Sequence, residues 1–258
     1  MNVQSRNGAV VFFHAHPDDE AIFTGGTMRL LANAGAVVVA VFATAGEAGL
    51  GDDNAQLADL RRCEARQACE LLGAQQTHFL GYGDSGVRAE VETGFAHVPV
   101  DEASRHLQSV LSQLGTPIEA IIVYDSDGTY GHPDHIHVHD VGMHAANAMA
   151  IPAVYECTID REYLHFVETH LVVSAGLGER PKSLGLAATN LGRPTVLIDR
   201  IVDVNSVLDI KRDAMELHAS QLPADAPVFA LGADNFAAVY GLEWFVQVRG
   251  PGPLDDLP

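Results

Sequence analysis

Two short runs concentrate the residue types from which a metal-dependent reaction centre can be built. His16-Pro17-Asp18-Asp19-Glu20 follows the apolar run Ala9-Val10-Val11-Phe12-Phe13, and Gly131-His132-Pro133-Asp134-His135 follows the apolar run Ile118–Tyr124. Each offers imidazoles and carboxylates just past a β-type stretch. Two histidines and one carboxylate with an open fourth position is the donor set of a catalytic zinc ion, which acidifies a water and polarises a carbonyl. A helix turns about 100° per residue, so groups three or four apart share a face. If the turn after Phe13 begins helical winding, His16 and Asp19 point the same way and Asp18 is displaced beside them. In the second run His132, His135 and His139 fall on one stripe, whereas His137 points elsewhere. His14, His137 and His139 read as supporting or packing residues.

The elements that must carry these runs alternate. Apolar segments at 9–14, 36–42, 77–80, 118–124 and 153–158 are separated by helix-period segments at 20–33, 55–72, 101–114, 134–149 and 160–170. Gly35 and Gly73 close the first two helices. The valine-rich run at 36–42 suits a strand buried on both faces. That alternation predicts an α/β fold, a Rossmann-like and mostly parallel sheet with helices on both faces. Residues 81–100 form an irregular, glycine-containing connection, long enough to be functional. Beyond Pro152 the pattern predicts a strand at 195–204, a helix at 206–219, a loop at 221–236 and a strand at 238–248, with 171–193 ambiguous. No repeat or linker divides the chain, so residues 1–258 read as one domain.

Composition removes several function classes. Fifteen Lys and Arg against 34 Asp and Glu give a formal charge of −19, a field that repels nucleic acid and anionic membrane. No apolar run reaches the roughly 18 residues of a membrane span. Three cysteines, without a Cys-x-x-Cys pair, fit a reduced, cytoplasmic protein. The first strand leads into Pro17-Asp18-Asp19-Glu20 and not into a Gly-x-Gly-x-x-Gly turn, and three carboxylates there repel phosphate, which argues against a dinucleotide module. A non-haem iron oxygenase shares the two-histidine, one-carboxylate set, but its common scaffold is all-β. A non-catalytic zinc- or sugar-binding module would have no need of the spare groups Asp18 and His132.

The same residues carry a resemblance. His16-Pro17-Asp18-Asp19-Glu20 and Tyr130-Gly131-His132-Pro133-Asp134-His135 resemble the two signatures of the LmbE-like (PIG-L) N-deacetylases. Arg61-x-x-Glu64 with Ala68 and Leu72-Gly73, then Asp84-Ser85-Gly86, then His218-Ala219-Ser220-Gln221, resemble weaker family patterns. Within the family the chain is most similar to actinobacterial deacetylases of mycothiol metabolism, with its loops and C-terminal third departing from them.

The resemblance implies a Zn²⁺ hydrolase, with Fe²⁺ as the alternative ion, that removes an N-acyl group, above all N-acetyl, from an amino-sugar-containing small molecule. A mycothiol-pathway deacetylase or conjugate amidase is the alternative, and a homo-oligomer is compatible with the chain. By motif position it implies His16, Asp19 and His135 as ligands and Asp18 as general base. His132 would be the oxyanion-stabilising acid, and the charge that develops on the oxygen is expected to make it an imidazolium once the tetrahedral state forms. Arg61, Asp84 and Tyr130 would face the substrate.

Overall fold

A computed structural model describes residues 8–50, 54–87, 91–174 and 191–258. Seven strands form one sheet: β1 Ala9–His14, β2 Val37–Thr44, β3 Gln76–Tyr82, β4 Ile118–Tyr124, β5 Ala153–Thr158, β6 Arg200–Asp203 and β7 Leu242–Arg249. Their order is β3-β2-β1-β4-β5-β7-β6. The first five strands are parallel, and β7 runs antiparallel to both β5 and β6. The expected mostly parallel α/β sheet is therefore present.

Right-handed crossovers put successive helices on the face dictated by the direction of travel. From β1 the chain moves outward to β3 through α1 (Gly25–Asn33) and α2 (Asn54–Leu71). It then returns past β1 through α3 (Val100–Leu111), and a short turn, α4 (Gly128–Gly131), precedes α5 (Pro133–Ala148). α3 packs on α5, whereas α1 and α2 pack on α7 (Leu208–Glu216), so both sheet faces are covered. The direction reverses between β1 and β4. Crevices at such switch points, outside the carboxyl ends of the strands, are where open α/β sheets bind ligands. Both histidine runs lie there.

The core explains the rigidity of that edge. Every residue of β1, β4 from Ala120 and nearly all of β2 are buried. Phe12, Phe13, Phe42 and Tyr124 are among the largest fully buried side chains. Gly142 on α5 allows close approach to the sheet, because a Cβ there would come within 2.4 Å of Val123.

Two expectations for the last third fail. The strand predicted at 195–204 is a 3₁₀ turn at Thr195–Leu197 followed by the four-residue β6. Pro194 fixes the backbone before it, and Val196 and Leu197 are 87% and 53% exposed. The loop predicted at 221–236 and the strand from 238 are interrupted by α8 (Ala233–Tyr240). Its buried Phe236 packs on Tyr240 one turn later, with ring centroids 4.9 Å apart, so the apolar run there is helical. The irregular stretch 81–100 is shorter than expected. Gly83 and Gly94 form a bridge, Phe95–His97 is a 3₁₀ turn, and α3 begins at Val100. Much of the ambiguous segment 171–193 lies outside the described residues.

Candidate metal centre

The first run does not simply start a helix. Glu20–Thr24 is a π-helical turn that joins α1, a geometry frequent at functional sites. Before it, Asp18 has φ +107°. A side-chain-bearing residue there costs on the order of 1–3 kcal/mol and persists only where its surroundings over-determine it. The result is that His16 and Asp19 face the same way. His16 N–H donates to Asp19 Oδ2 (2.9 Å), and His16 Nδ1 lies 3.3 Å from that oxygen.

The second run is ordinary helix chemistry. His132 is the N-cap of α5, its Nδ1 accepting the Asp134 N–H (3.2 Å), and Pro133 follows in the first turn. His135 then reaches back so that Nε2 is 3.3 Å from Asp19 Oδ2. Its ring lies flat on Tyr124, centroids 4.0 Å apart at 8°.

Asp19 Oδ2 is thus 3.3 Å from one nitrogen of each histidine. Donor atoms at about 2.0–2.1 Å from a tetrahedral zinc stand roughly 3.3–3.4 Å apart, which matches the two separations that involve Asp19. The electrostatics fit as well. Burial opposes charge on Asp19, but His135 and His16 outweigh it and hold the carboxyl well below its usual range. Burial also opposes charge on His16, yet Asp134, Asp19 and Asp84 hold its pKa well above normal. Among the described residues, the groups whose donor atoms all lie within 4.8 Å of one another are His16 with His132 and His135, and His16 with Asp84 and Asp134.

Asp134, given no role by sequence reasoning, orients the other edge of His16. Its Oδ2 is 3.2 Å from Nε2 and accepts the Ser85 N–H (3.0 Å), while Oδ1 accepts the Ala96 N–H (3.0 Å). A carboxylate behind a ligating imidazole fixes its tautomer. Asp84 is nearby, 3.6 Å from His16 Nε2. It accepts the N–H groups of Gly86 (2.8 Å) and Ala48 (3.2 Å), so it also organises two loops.

Asp18 sits beside the donors with a different environment. Burial and the charge of Asp19 push its carboxyl up to about 7, against the opposing pull of Arg61 and His218. Arg61 is buried below it. Its Nη2 donates to Asp18 Oδ2 (3.2 Å) and Pro17 O (2.5 Å), and its Nη1 donates to Gly46 O (2.6 Å). Gly46 has φ +67°, and a Cβ there would come within 2.4 Å of the guanidinium. The guanidinium is therefore engaged with the catalytic turn and not with its helix neighbour Glu64, which accepts from Ser220.

The imidazolium expected of His132 is one that forms with the tetrahedral oxyanion; the protein alone disfavours charge there. Burial and the neighbouring His16 and His135 lower its pKa to about 4. Its Nδ1 is occupied as an acceptor, so the resting ring is neutral and carries its proton on Nε2. Tyr130, 47% exposed, stands at the mouth with its hydroxyl 3.5 Å from His135 Nε2. His14, His137 and His139 lie outside the donor groups. His14 bonds Tyr124 Oη (3.1 Å) and Thr24 Oγ1 (2.9 Å), His137 packs on Phe95, and His139 bonds Tyr124 O (3.0 Å).

Sequence reasoning also missed Glu20, which accepts from His218 (2.6 Å) with both side chains fully buried. The signal was present, since both residues stand inside the quoted motifs.

A family model described as PIG-L, GlcNAc-PI de-N-acetylase, matches residues 11–146. A 1D-myo-inositol 2-acetamido-2-deoxy-alpha-D-glucopyranoside deacetylase of Geodermatophilus obscurus is 33% identical, covering 93% of this chain and 92% of its own. The aligned region extends into the C-terminal third. Among solved structures, the N,N'-diacetylchitobiose deacetylase of Pyrococcus horikoshii superposes with a TM-score of 0.61 at 21% identity, over 96% of this chain and 88% of that one. The 4-carboxy-2-hydroxymuconate hydratase of Pseudomonas putida does so with 0.58 at 20%, over 95% and 98%. The fold therefore serves more than one reaction, and the site must decide between them.

Proposed function

The chain belongs to the PIG-L family, and from that premise we propose that it is a metal-dependent N-deacetylase acting on a small molecule that contains an N-acetylated amino sugar. The observation that carries this reading is the convergence of Asp19 with His16 and His135 at 3.3 Å, with a second, separately tuned carboxylate, Asp18, beside them. A binding module has no evident use for that pairing, and the family model and the 33%-identical relative, both described as deacetylases, favour amide hydrolysis over a hydratase reaction. His16, Asp19 and His135 would hold the ion. Zn²⁺ is the first candidate and Fe²⁺ the second.

When bound, the ion would acidify a water and polarise the acyl carbonyl. Asp18 takes a proton from the attacking water, a task suited to a carboxylate whose pKa is near the working pH. The neutral His132 offers Nε2–H to the carbonyl oxygen as negative charge develops on it. Collapse breaks the C–N bond. Asp18, now protonated, is the group able to hand a proton to the departing amine, because His132 has only a neutral N–H to give. The products are acetate and the free amino sugar. Asp134 keeps His16 in register, and Arg61 acts through Asp18. Asp84 and the half-exposed Tyr130 would meet the sugar.

N-acetylglucosamine linked to inositol is the first substrate to try, since the 33%-identical relative carries that name. Three unpaired cysteines support a reduced, cytoplasmic setting. Among the described residues no helix is long and apolar enough to cross a membrane. The test is amine release from an inositol conjugate, diacetylchitobiose, N-acetylglucosamine and an N-acylated glycopeptide, with the protein loaded with zinc, loaded with iron, or stripped by chelator. Metal-dependent release from at least one of them is expected. Equal turnover with and without metal, or none with any acetamido sugar, would overturn the reading.

A further inference from the structure

The left-handed backbone of Asp18 has a specific set of supports, and one comes from the far end of the chain. Asp18 N–H donates to Glu20 Oε2 (2.9 Å). The other oxygen of the same carboxylate, Oε1, accepts from His218 Nε2 (2.6 Å). Neither Glu20 nor His218 has any exposed surface. Glu20 therefore divides its two acceptors between the catalytic backbone and a histidine just past α7. The segment after His218 is pinned in turn. Ser220 donates through N–H (2.9 Å) and Oγ (2.6 Å) to Glu64, one helical turn beyond Arg61 on α2. Gln221 exchanges two bonds with the backbone of Leu50. Arg61 holds the Asp18 carboxylate from the opposite side.

We propose that Glu20 and His218 are positioning residues which, together with Arg61, hold Asp18 in the backbone conformation that aims its carboxylate at the attacking water. The proposal rests on the deacetylase reading for the role of Asp18, and on geometry alone for the pair itself. Without the His218 donor, the buried Glu20 carboxylate must find another partner, and the Asp18 N–H is the contact it gives up. A residue with a Cβ leaves an unfavourable φ once its surroundings cease to over-determine it. Displacing a catalytic group by about 1 Å can cost around 10²-fold in rate.

The experiment is a cycle on the full-length, metal-loaded protein: wild type, His218→Leu, His218→Gln, and each combined with Asp18→Asn. His218→Leu should lower kcat about 10- to 100-fold with KM within about twofold and metal content unchanged. The carboxamide of His218→Gln can still donate to Glu20 and should recover most of that loss. Residues that act as a unit are not additive, so Asp18→Asn should cost far less in the His218→Leu background than in wild type. An undiminished Asp18→Asn effect there would reduce His218 to packing and overturn the proposal.

A crystal structure of metal-free His218→Leu supplies a readout independent of turnover. Asp18 should have left positive φ, and an unchanged φ would overturn the proposal. That readout holds even if wild type is inactive on every acetamido sugar, which is how failure of the deacetylase reading would show itself. If His218→Leu does not fold, Glu20→Gln, which keeps one acceptor of the two, replaces it in the same cycle.

Discussion

After β4 the chain passes through α4, where Thr129 has φ +64°, and then enters a regular helix with His132 as cap and Pro133 and His135 in its first turn. After β1 the irregular backbone falls on the functional run itself. Asp18 takes φ +107°, a π-helical turn follows, and Arg61, Glu20 and His218 are all needed around one short turn. The cap and first turn that carry His132 and His135 are made from adjacent residues, although Asp134 between them is held by Ser85 and Ala96. The arrangement after β1 is made from partners tens to hundreds of positions away. The contrast is between a donor that needs only to be present and a base that must be aimed. Damage to the α5 half should act through loss of a group, whereas damage to the β1 half should also act at a distance.

The largest effect should come from His135→Ala. It removes a donor at the heart of the centre, and elemental analysis should find the roughly one metal per chain of wild type gone, together with turnover. Retained metal would move the ligand set to another of the donor groups around His16. Next is Asp18→Asn, which should keep the metal and lose about 10²–10⁴ in kcat, the usual worth of a positioned base. Loss of metal instead would make Asp18 a ligand and erase the distinction between the two halves.

His132→Ala should cost about 10² in kcat, the value of one oxyanion donor. Because its resting ring is neutral, with a pKa lowered to about 4, the alkaline side of the pH–rate profile should keep its wild-type position. An alkaline limb that disappears in the variant would restore the imidazolium acid. Arg61→Met sharpens the other half. Asp18 must be ionised to act, so activity should rise with pH along a limb set by its carboxyl, which burial and Asp19 push up to about 7. Arg61 favours the ionised form, and its removal should move that limb to higher pH by about one unit. A limb that stays in place would belong to another group.

The smallest effect is on stability. A carboxyl with a folded pKa near 7 and an unfolded value near 3.9 binds its proton more tightly when folded, so it costs stability as pH rises between those values. Metal-free Asp18→Asn should therefore be more stable than wild type by about 1–2 kcal/mol at pH 8, and by less at pH 5. Thermal unfolding at the two pH values checks this. A gain equal at both would trace to the backbone and not to charge.

Legibility followed the same divide. The parallel strands through β5 and the helices between them were readable because valine-rich runs buried on both faces have no other stable use. The last hundred residues were misread where local pattern was ambiguous. The run in α8 suits either a helix or a strand by composition, and packing of Phe236 on Tyr240 decided for the helix. Thr195–Leu197 has strand-like residues but leaves two of them exposed. At the site, His16 and Asp19 were legible as neighbours from type and spacing, whereas only the resemblance singled out His135 from the stripe it shares with His132 and His139; Asp19 Oδ2 lies 3.3 Å from one nitrogen of His16 and one of His135. Asp134 and Glu20 stood in plain view inside the motifs, but their roles depend on Ser85, Ala96 and His218, which no spacing rule connects to them.

The sequence by itself determined the alternation of strand and helix, the two runs placed after β1 and β4, and the identity of the groups that could hold a cation. Those follow from periodicity and residue chemistry, which are local. Only the tertiary structure decided that Asp18 would be strained and raised in pKa, that His132 would be neutral, and that Arg61 would serve the catalytic turn. Protonation and aim depend on burial and on the charges within a few ångströms. Those neighbours come from α2, from the loop after β3 and from the residues beyond α7, and they meet only when the sheet closes.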